Sequence, residues 1–203
     1  MEKQKLKQII QDPMGSDDII HYFPNAKITT YADLHKYKSI KHLLPAQEDF
    51  VFILYEDSPR TGHWVCLTRD IHNNINYFDS YGGKVDDPLT WATPAERKQL
   101  KMCVPYLSKL LDKTPEPVYW NDEDYQRDGF NINTCGRHCC YYILNMLYHD
   151  MSLLDYHKHI TALKKKHKMT YDEVVAKYIR KMWLSLCFLF VLLHLFSTLF
   201  KLL

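Results

Sequence analysis

No segment of this 203-residue chain repeats, none is of low complexity, and no long flexible linker divides it, which excludes repeat architectures and a string of separate domains. Regular cysteine spacing is absent too. The six cysteines, at 66, 103, 135, 139, 140 and 187, outline no disulfide framework, and a chain of this length buries a core without such staples. Nor does an apolar stretch follow the charged start Met1-Glu-Lys-Gln-Lys-Leu-Lys-Gln8, so no secretory signal is expected and each cysteine is by default a small buried apolar residue. The 46% hydrophobic and 25% charged content is that of an ordinary globular domain and excludes a disordered chain. The net charge of +2 conceals an asymmetry: residues up to Asp155 hold 17 Lys and Arg against 22 Asp and Glu, and the remainder holds 9 against 2. A mildly acidic body therefore precedes a basic tail, and within that tail the 18 positions from Trp183 to Phe200 carry no charge.

Local patterns predict the elements. Ser16-Asp-Asp-Ile19 starts a short helix, and Leu34, Tyr37, Ile40, Leu43 and Leu44 recur at helical spacing, predicting a second over 31–44. Three β-rich runs follow, Phe50-Val-Phe-Ile-Leu-Tyr55, His63-Trp-Val-Cys-Leu-Thr68 and Ile75-Asn-Tyr-Phe-Asp79, separated by turn-forming segments. Short strands joined this way form an antiparallel meander. Thr93-Pro-Ala-Glu96 combines an N-cap, a first-position proline and a reaching glutamate, predicting a helix towards Lys113 that kinks at Pro105. A loop over 114–133 then leads into the mostly buried helix predicted from Thr134 to Tyr148. A second capping box, Thr170-Tyr-Asp-Glu173, opens a segment with no helix breaker up to the last residue. This order of elements is that of an α+β fold, a central mainly antiparallel sheet flanked by helices.

Cys135 stands where the loop gives way to the buried helix, and a thiol there feels the partial positive charge of unpaired helix N–H groups, which favours the thiolate. Gly136 beside it admits close approach of another backbone, and the main-chain N–H of Cys135 is placed to serve an oxyanion hole. A cysteine nucleophile needs a base and a group that orients the base. His63 opens one predicted strand and Asp79 closes the next, so antiparallel pairing brings both to the same end of the sheet. A rival reading of the region is zinc binding, since Cys135, His138 and Cys139 fall on one helix face. A structural site wants a second pair of ligands, and the chain offers no Cys-x-x-Cys or His-x-x-x-His elsewhere.

At these residues the chain resembles a known family. Gly62-His63-Trp64-Val65, Phe78-Asp79-Ser80-Tyr81-Gly82 and Asn133-Thr134-Cys135-Gly136-Arg137-His138-Cys139-Cys140 are similar, in order and spacing, to the His, acid and Cys motifs of adenovirus-protease-like (adenain-like) cysteine proteases, relatives of the proteases that process SUMO and ubiquitin-like modifiers. The resemblance implies Cys135 as nucleophile, His63 as general base and then acid, and Asp79 as the group orienting His63. It also implies an upstream glutamine supporting the oxyanion; Gln126 is the only glutamine in that loop, while Asn131 and Asn133 carry the same amide closer to Cys135. Trp64 would be the aromatic neighbour that shields the His–acid pair from water, or equally a strand aromatic in the core. The implied activity is cleavage of peptide bonds after small residues or glycine, maturing viral structural proteins. A SUMO or ubiquitin-like isopeptidase and a catalytically silent binding module are the alternatives. No cofactor is expected beyond an activating peptide or DNA, which the resemblance brings with it.

The chain is expected to divide into a catalytic domain over 1–155, a basic helical segment over 156–182 and an apolar helix over 183–203. As a helix, the stretch from Trp183 to Leu203 is long enough to anchor in a membrane, although His194 and the Ser197-Thr198 pair weigh against it. Positive residues before an apolar span stay cytoplasmic, which would leave the catalytic domain in the host cytosol or virion. The dense cationic run from Lys164 to Lys168 is either a solvated helix face or a nucleic-acid contact.

Overall fold

In the computed structural model, which describes residues 2–45, 48–58 and 60–180, the chain opens with helix α1 (Glu2–Gln11), which no sequence signal had predicted, and α2 (Ser16–Tyr22). Strand β1 (Lys27–Thr30) follows. The predicted helix over 31–44 is two pieces, a 3-10 helix at Tyr31–Lys36 and α3 (Ile40–Leu43). Their apolar residues are buried as the spacing implied, but the Thr30 hydroxyl caps a tight turn and Tyr37 is already extended, so the helix does not propagate.

The three β-rich runs become β2 (Phe50–Ser58), β3 (Thr61–Arg69) and β4 (Ile75–Asp79), paired as an antiparallel meander. Among the described residues the sheet gains two parallel edge pairs, β1 on β2 and, on β4, the short β5 (Val118–Trp120) from within the predicted loop. The β2–β3 turn contains a register shift near Glu56, and Gly62 makes it possible: its φ is +148°, and a Cβ there would lie 1.9 Å from the Tyr55 carbonyl oxygen.

Side chains alternate faces along a strand, so the sheet separates two apolar layers. Phe52, Leu54, Trp64, Cys66 and Phe78 meet α6 (Cys135–His149), where Phe78 stacks on Tyr142 with ring centroids 4.5 Å apart. Val51, Ile53, Val65, Leu67, Ile75 and Tyr77 face α3 and the segments after β4. Those segments are a 3-10 helix at Asp87–Trp91, α4 (Pro94–Gln99) and α5 (Tyr106–Leu111). The single kinked helix predicted towards Lys113 is therefore two separate helices. The capping box at Thr93 is present, but α4 ends at Leu100, Lys101 takes a left-handed φ of 58°, and Pro105 caps α5 instead of bending a continuous helix.

Beyond α6 lie α7 (Leu153–His167) and α8 (Tyr171–Tyr178). The stretch expected as a basic segment beside the catalytic domain contributes Tyr156, Ile160, Val174, Val175 and Ile179 to the α6 layer of the core. Its lysines lie towards solvent while its apolar side and Asp172 are buried, which a count of lysines does not reveal. Helix α8 stops at Tyr178, where Ile179 turns extended, rather than running to the chain end. No helix among the described residues is long and apolar enough to cross a membrane; the apolar stretch predicted from Trp183 to Leu203 lies outside the described residues.

Candidate active site

Register brings the base and the acid together. Asp79, the last residue of β4, pairs with Val65, and His63 lies two residues along β3 on the same face. Its Nε2 sits 2.8 Å from Asp79 Oδ1. The carboxylate is completely buried, and its Oδ1 also accepts the Tyr81 N–H at 2.9 Å. The Asn121 side chain clamps the backbone of the same residue: Oδ1 accepts the Asp79 N–H at 2.8 Å and Nδ2 donates to the Asp79 carbonyl at 2.6 Å. The end of β5 thus fixes the end of β4. With Nε2 committed to Asp79, Nδ1 is the ring nitrogen left for other partners, and Cys135 is near enough that each of the two groups shifts the other's pKa.

Cys135 is the first residue of α6. Thr134 before it makes no capping bond with its side chain, so the first-turn N–H groups are not consumed there. The backbone N–H groups of Trp64 and Gly136 approach the Cys135 sulfur. Burial alone would raise the Cys135 pKa, but the His63 hydrogen bond and charge, helped by these N–H groups, hold it below the ordinary thiol value. Burial would likewise lower the His63 pKa, yet the Asp79 charge and hydrogen bond, followed by Cys135, push it up to about 10. Both shifts favour a thiolate–imidazolium pair at neutral pH. Burial pushes the Cys139 and Cys140 thiols up, the opposite of Cys135.

Gly136 is tightly packed: a Cβ on it would lie 3.0 Å from Met14 Cβ and 3.2 Å from Trp64 Cδ1, so a larger residue would have to displace these side chains. Trp64 is buried on the α6 face of the sheet and donates its indole N–H to the Met14 carbonyl at 2.9 Å. It does not cover the His63–Asp79 pair, because neighbouring residues on a strand point to opposite faces. The rings beside the His63 imidazole are Tyr81 and Trp91, at centroid distances of 5.2 and 5.0 Å. Trp91 carried no local signal, standing 28 positions from His63 in a 3-10 helix. Tyr81 lay unremarked inside the acid motif.

Cys135, His63 and Gln126 line one cavity of about 440 Å³. Gln126 is buried; its Oε1 accepts the Ser80 hydroxyl at 3.0 Å, and its Nε2 donates to the Tyr81 hydroxyl at 2.9 Å and the Ile132 carbonyl at 3.3 Å. Of the two closer amides, Asn131 is exposed, and Asn133 lines the cavity with its Nδ2 spent on the Gln11 carbonyl at 2.7 Å. That bond belongs to a strap. The Asn133 N–H meets the Ile10 carbonyl, Arg137 donates to the Asp12 carbonyl, and Trp64 holds Met14, so 10–14 is laced to both the helix start and the base strand.

A second buried carboxylate, Asp172 of α8, supports the helix start from behind. Its Oδ1 accepts the Thr134 hydroxyl at 2.6 Å and lies 3.4 Å from His138 Nε2, and its Oδ2 accepts Arg127 Nε at 3.0 Å. Thr134 and Arg127 adjoin Cys135 and Gln126 in sequence, and His138 lies one helical turn beyond Cys135. Of the residues weighed as zinc ligands, His138 turns to Asp172 and Cys139 directs its thiol to the Trp64 carbonyl; among the described residues no group of three His, Cys, Asp or Glu could hold a metal ion. Lys164–Lys168 ends α7, lines no part of the cavity, and sets the Lys164 ammonium 4.0 Å from the Tyr171 ring centroid.

No family model matches the chain. The uncharacterized protein V9 of Sputnik virophage is 32% identical to it over 173 residues, which cover 85% of this chain and 97% of V9. Among solved structures, the ASFV pS273R protease is similar with a TM-score of 0.40 at 14% identity, over 71% of this chain and 65% of its own. The chain thus spans slightly less than two thirds of that protein. ChlaDub1 from Chlamydia trachomatis gives a TM-score of 0.39 at 19% identity, over 87% of this chain and 74% of its own. Structural likenesses this loose assign no activity.

Proposed function

The chain belongs to the family of protein V9 of Sputnik virophage, and we propose that it is a cysteine peptidase with Cys135 as nucleophile, His63 as general base and then acid, and Asp79 orienting His63. The observation that supports this reading is the 2.8 Å His63–Asp79 hydrogen bond beside an open cavity that His63 lines together with Cys135, where the influence of His63 lowers the Cys135 pKa and that of Asp79 raises the His63 pKa. Each group has a defined step. The Cys135 thiolate adds to the carbonyl carbon of the scissile bond, and the negative charge moves to the carbonyl oxygen. That oxyanion is met by the Cys135 N–H and by the Gln126 amide, whose 3.3 Å bond to the Ile132 carbonyl is the weaker of its two and the one exchanged. His63 gives its proton to the departing amine as the C–N bond breaks and a thioester forms. It then takes a proton from the water that cleaves the thioester, and Cys135 is released.

We extend the reading to cleavage after small or glycine residues in structural proteins of the virus that encodes the chain, the specificity of adenain-like enzymes. Neither the basic run at 164–168 nor the apolar run at 183–203 enters it. In the test, glycine-containing peptides are incubated with the full chain. Cys135→Ala or iodoacetamide is expected to abolish turnover, and turnover surviving either treatment overturns the nucleophile assignment. A ubiquitin-like vinyl-sulfone probe that labels Cys135 while peptides stay intact would move the assignment to an isopeptidase.

A further inference from the structure

The charged side chains that line the reactive cavity, His63 apart, are all carboxylates: Glu56, Asp57 and Glu96. A second hollow of about 500 Å³ shares Tyr81 and Trp91 with it as a common wall, and its charged lining is Asp87, Asp124 and Asp128. Arg60, Lys84 and Lys101 belong to neighbouring loops but line neither hollow. None of the six carboxylates pairs with a lysine or arginine among the described residues, whereas Asp33, Glu116, Asp155 and Asp172 elsewhere all do. Within the second hollow, burial and then the Asp128 charge raise the Asp124 pKa.

Carboxylates without a lysine or arginine partner around a reactive thiol favour a cationic ligand in the cleft. A metal ion does not fit this distribution, because the carboxylates are spread along two hollows and no three converge. The aromatic rim favours an organic cation. Trp91 stands between the hollows with 56% of its surface exposed, and Phe130, fully exposed, lines the reactive cavity. An indole face flanked by carboxylates suits a guanidinium or ammonium group on an aliphatic stem.

We infer that the substrate of this cleft is a basic polypeptide segment, with lysine or arginine side chains on both sides of the bond facing Cys135. The inference rests on the peptidase reading for its consequence but not for its test. Internally quenched peptides of equal length, sharing a Gly-Gly centre and flanked by Arg and Lys, by Gln, or by Glu, are compared in two ways with the full chain. One readout is kcat/KM. The other, independent of turnover, is protection of Cys135 against iodoacetamide, read by peptide mass.

Basic flanks are expected to raise both cleavage and protection about tenfold over Gln, the effect of two or three screened charge pairs. Glu flanks should lower both, and added salt should shrink the difference. Within the variant Glu56→Gln/Asp128→Asn the ratio of basic to neutral peptide is expected to fall. Cleavage or protection equal for Gln and basic peptides overturns the inference and leaves the peptidase standing. Protection by basic peptides without cleavage keeps the charge preference and overturns the peptidase. If no peptide protects Cys135, the inference is wrong.

Discussion

His63 and Cys135 carry the pH dependence. Because the His63 pKa lies near 10 and that of Cys135 below its ordinary value, the ion pair exists between the two, and activity is expected to fall as pH rises through about 10 and again as acid reaches the thiolate. The stability linkage has the sign of a raised histidine. The contribution of protonated His63 beside Asp79 is complete below its unfolded value of about 6.5 and is lost as pH rises through about 10. Asp79→Asn removes the charge that sustains the imidazolium. It is expected to cut kcat on the order of a hundredfold or more at neutral pH, to shift the alkaline limb downward, and to slow alkylation of Cys135. The exposed thiol of Cys103 is an internal reference in the same digest. An unchanged Cys135 rate in that variant would contradict the coupling.

At the scale of elements, the site depends on how strand and helix ends are tied. Asn121 makes two backbone bonds to Asp79 and a third to the Glu123 carbonyl at 3.2 Å, all with one buried amide. Asn121→Ala leaves the Asp79 N–H and C=O without these partners, so a loss of about 1–3 kcal/mol is expected in denaturant unfolding. Its kcat should fall with little change in KM, since Asn121 does not line the reactive cavity. The buried Asp172 ties α8 to the start of α6. Burial raises its pKa, but His138, Thr134 and Arg127 outweigh burial and lower it. The sign is that of a depressed carboxylate: its stabilisation is present above the unfolded value of about 3.9 and disappears as pH falls through the lower folded value. Asp172→Ala should cost about 3–5 kcal/mol by leaving buried polar groups unpaired. Asp172→Asn, measured by acid titration of the folded state, should flatten the low-pH loss.

For the whole molecule, the boundary expected after Asp155 is the clearest test. A chain ending there lacks Tyr156, Ile160, Val174, Val175 and Ile179, all essentially inaccessible in the fold, together with Asp172. It is expected to bind hydrophobic dyes and to unfold without a cooperative transition, whereas a chain ending at Arg180 should unfold cooperatively. Cooperative unfolding of the shorter chain would show that α7 and α8 are dispensable.

The antiparallel centre of the sheet and the burial of α6 were legible in the residues themselves, while the catalytic assignment came from the motif resemblance, with Cys135 at a loop–helix junction as its local support. The local signals are short-range rules: period-two alternation, the capping box, a cysteine at a loop–helix junction. The clamps were not legible. Asn121 on Asp79, Asp172 behind Thr134, the strap at 10–14 across Gly136, and the Tyr81 and Trp91 rings on His63 join residues far apart in sequence. Their polar atoms acquire meaning only when burial removes water and leaves one partner within reach. The same holds for charge. Composition showed an acidic body, but only packing collected six carboxylates without counterions around the reactive thiol.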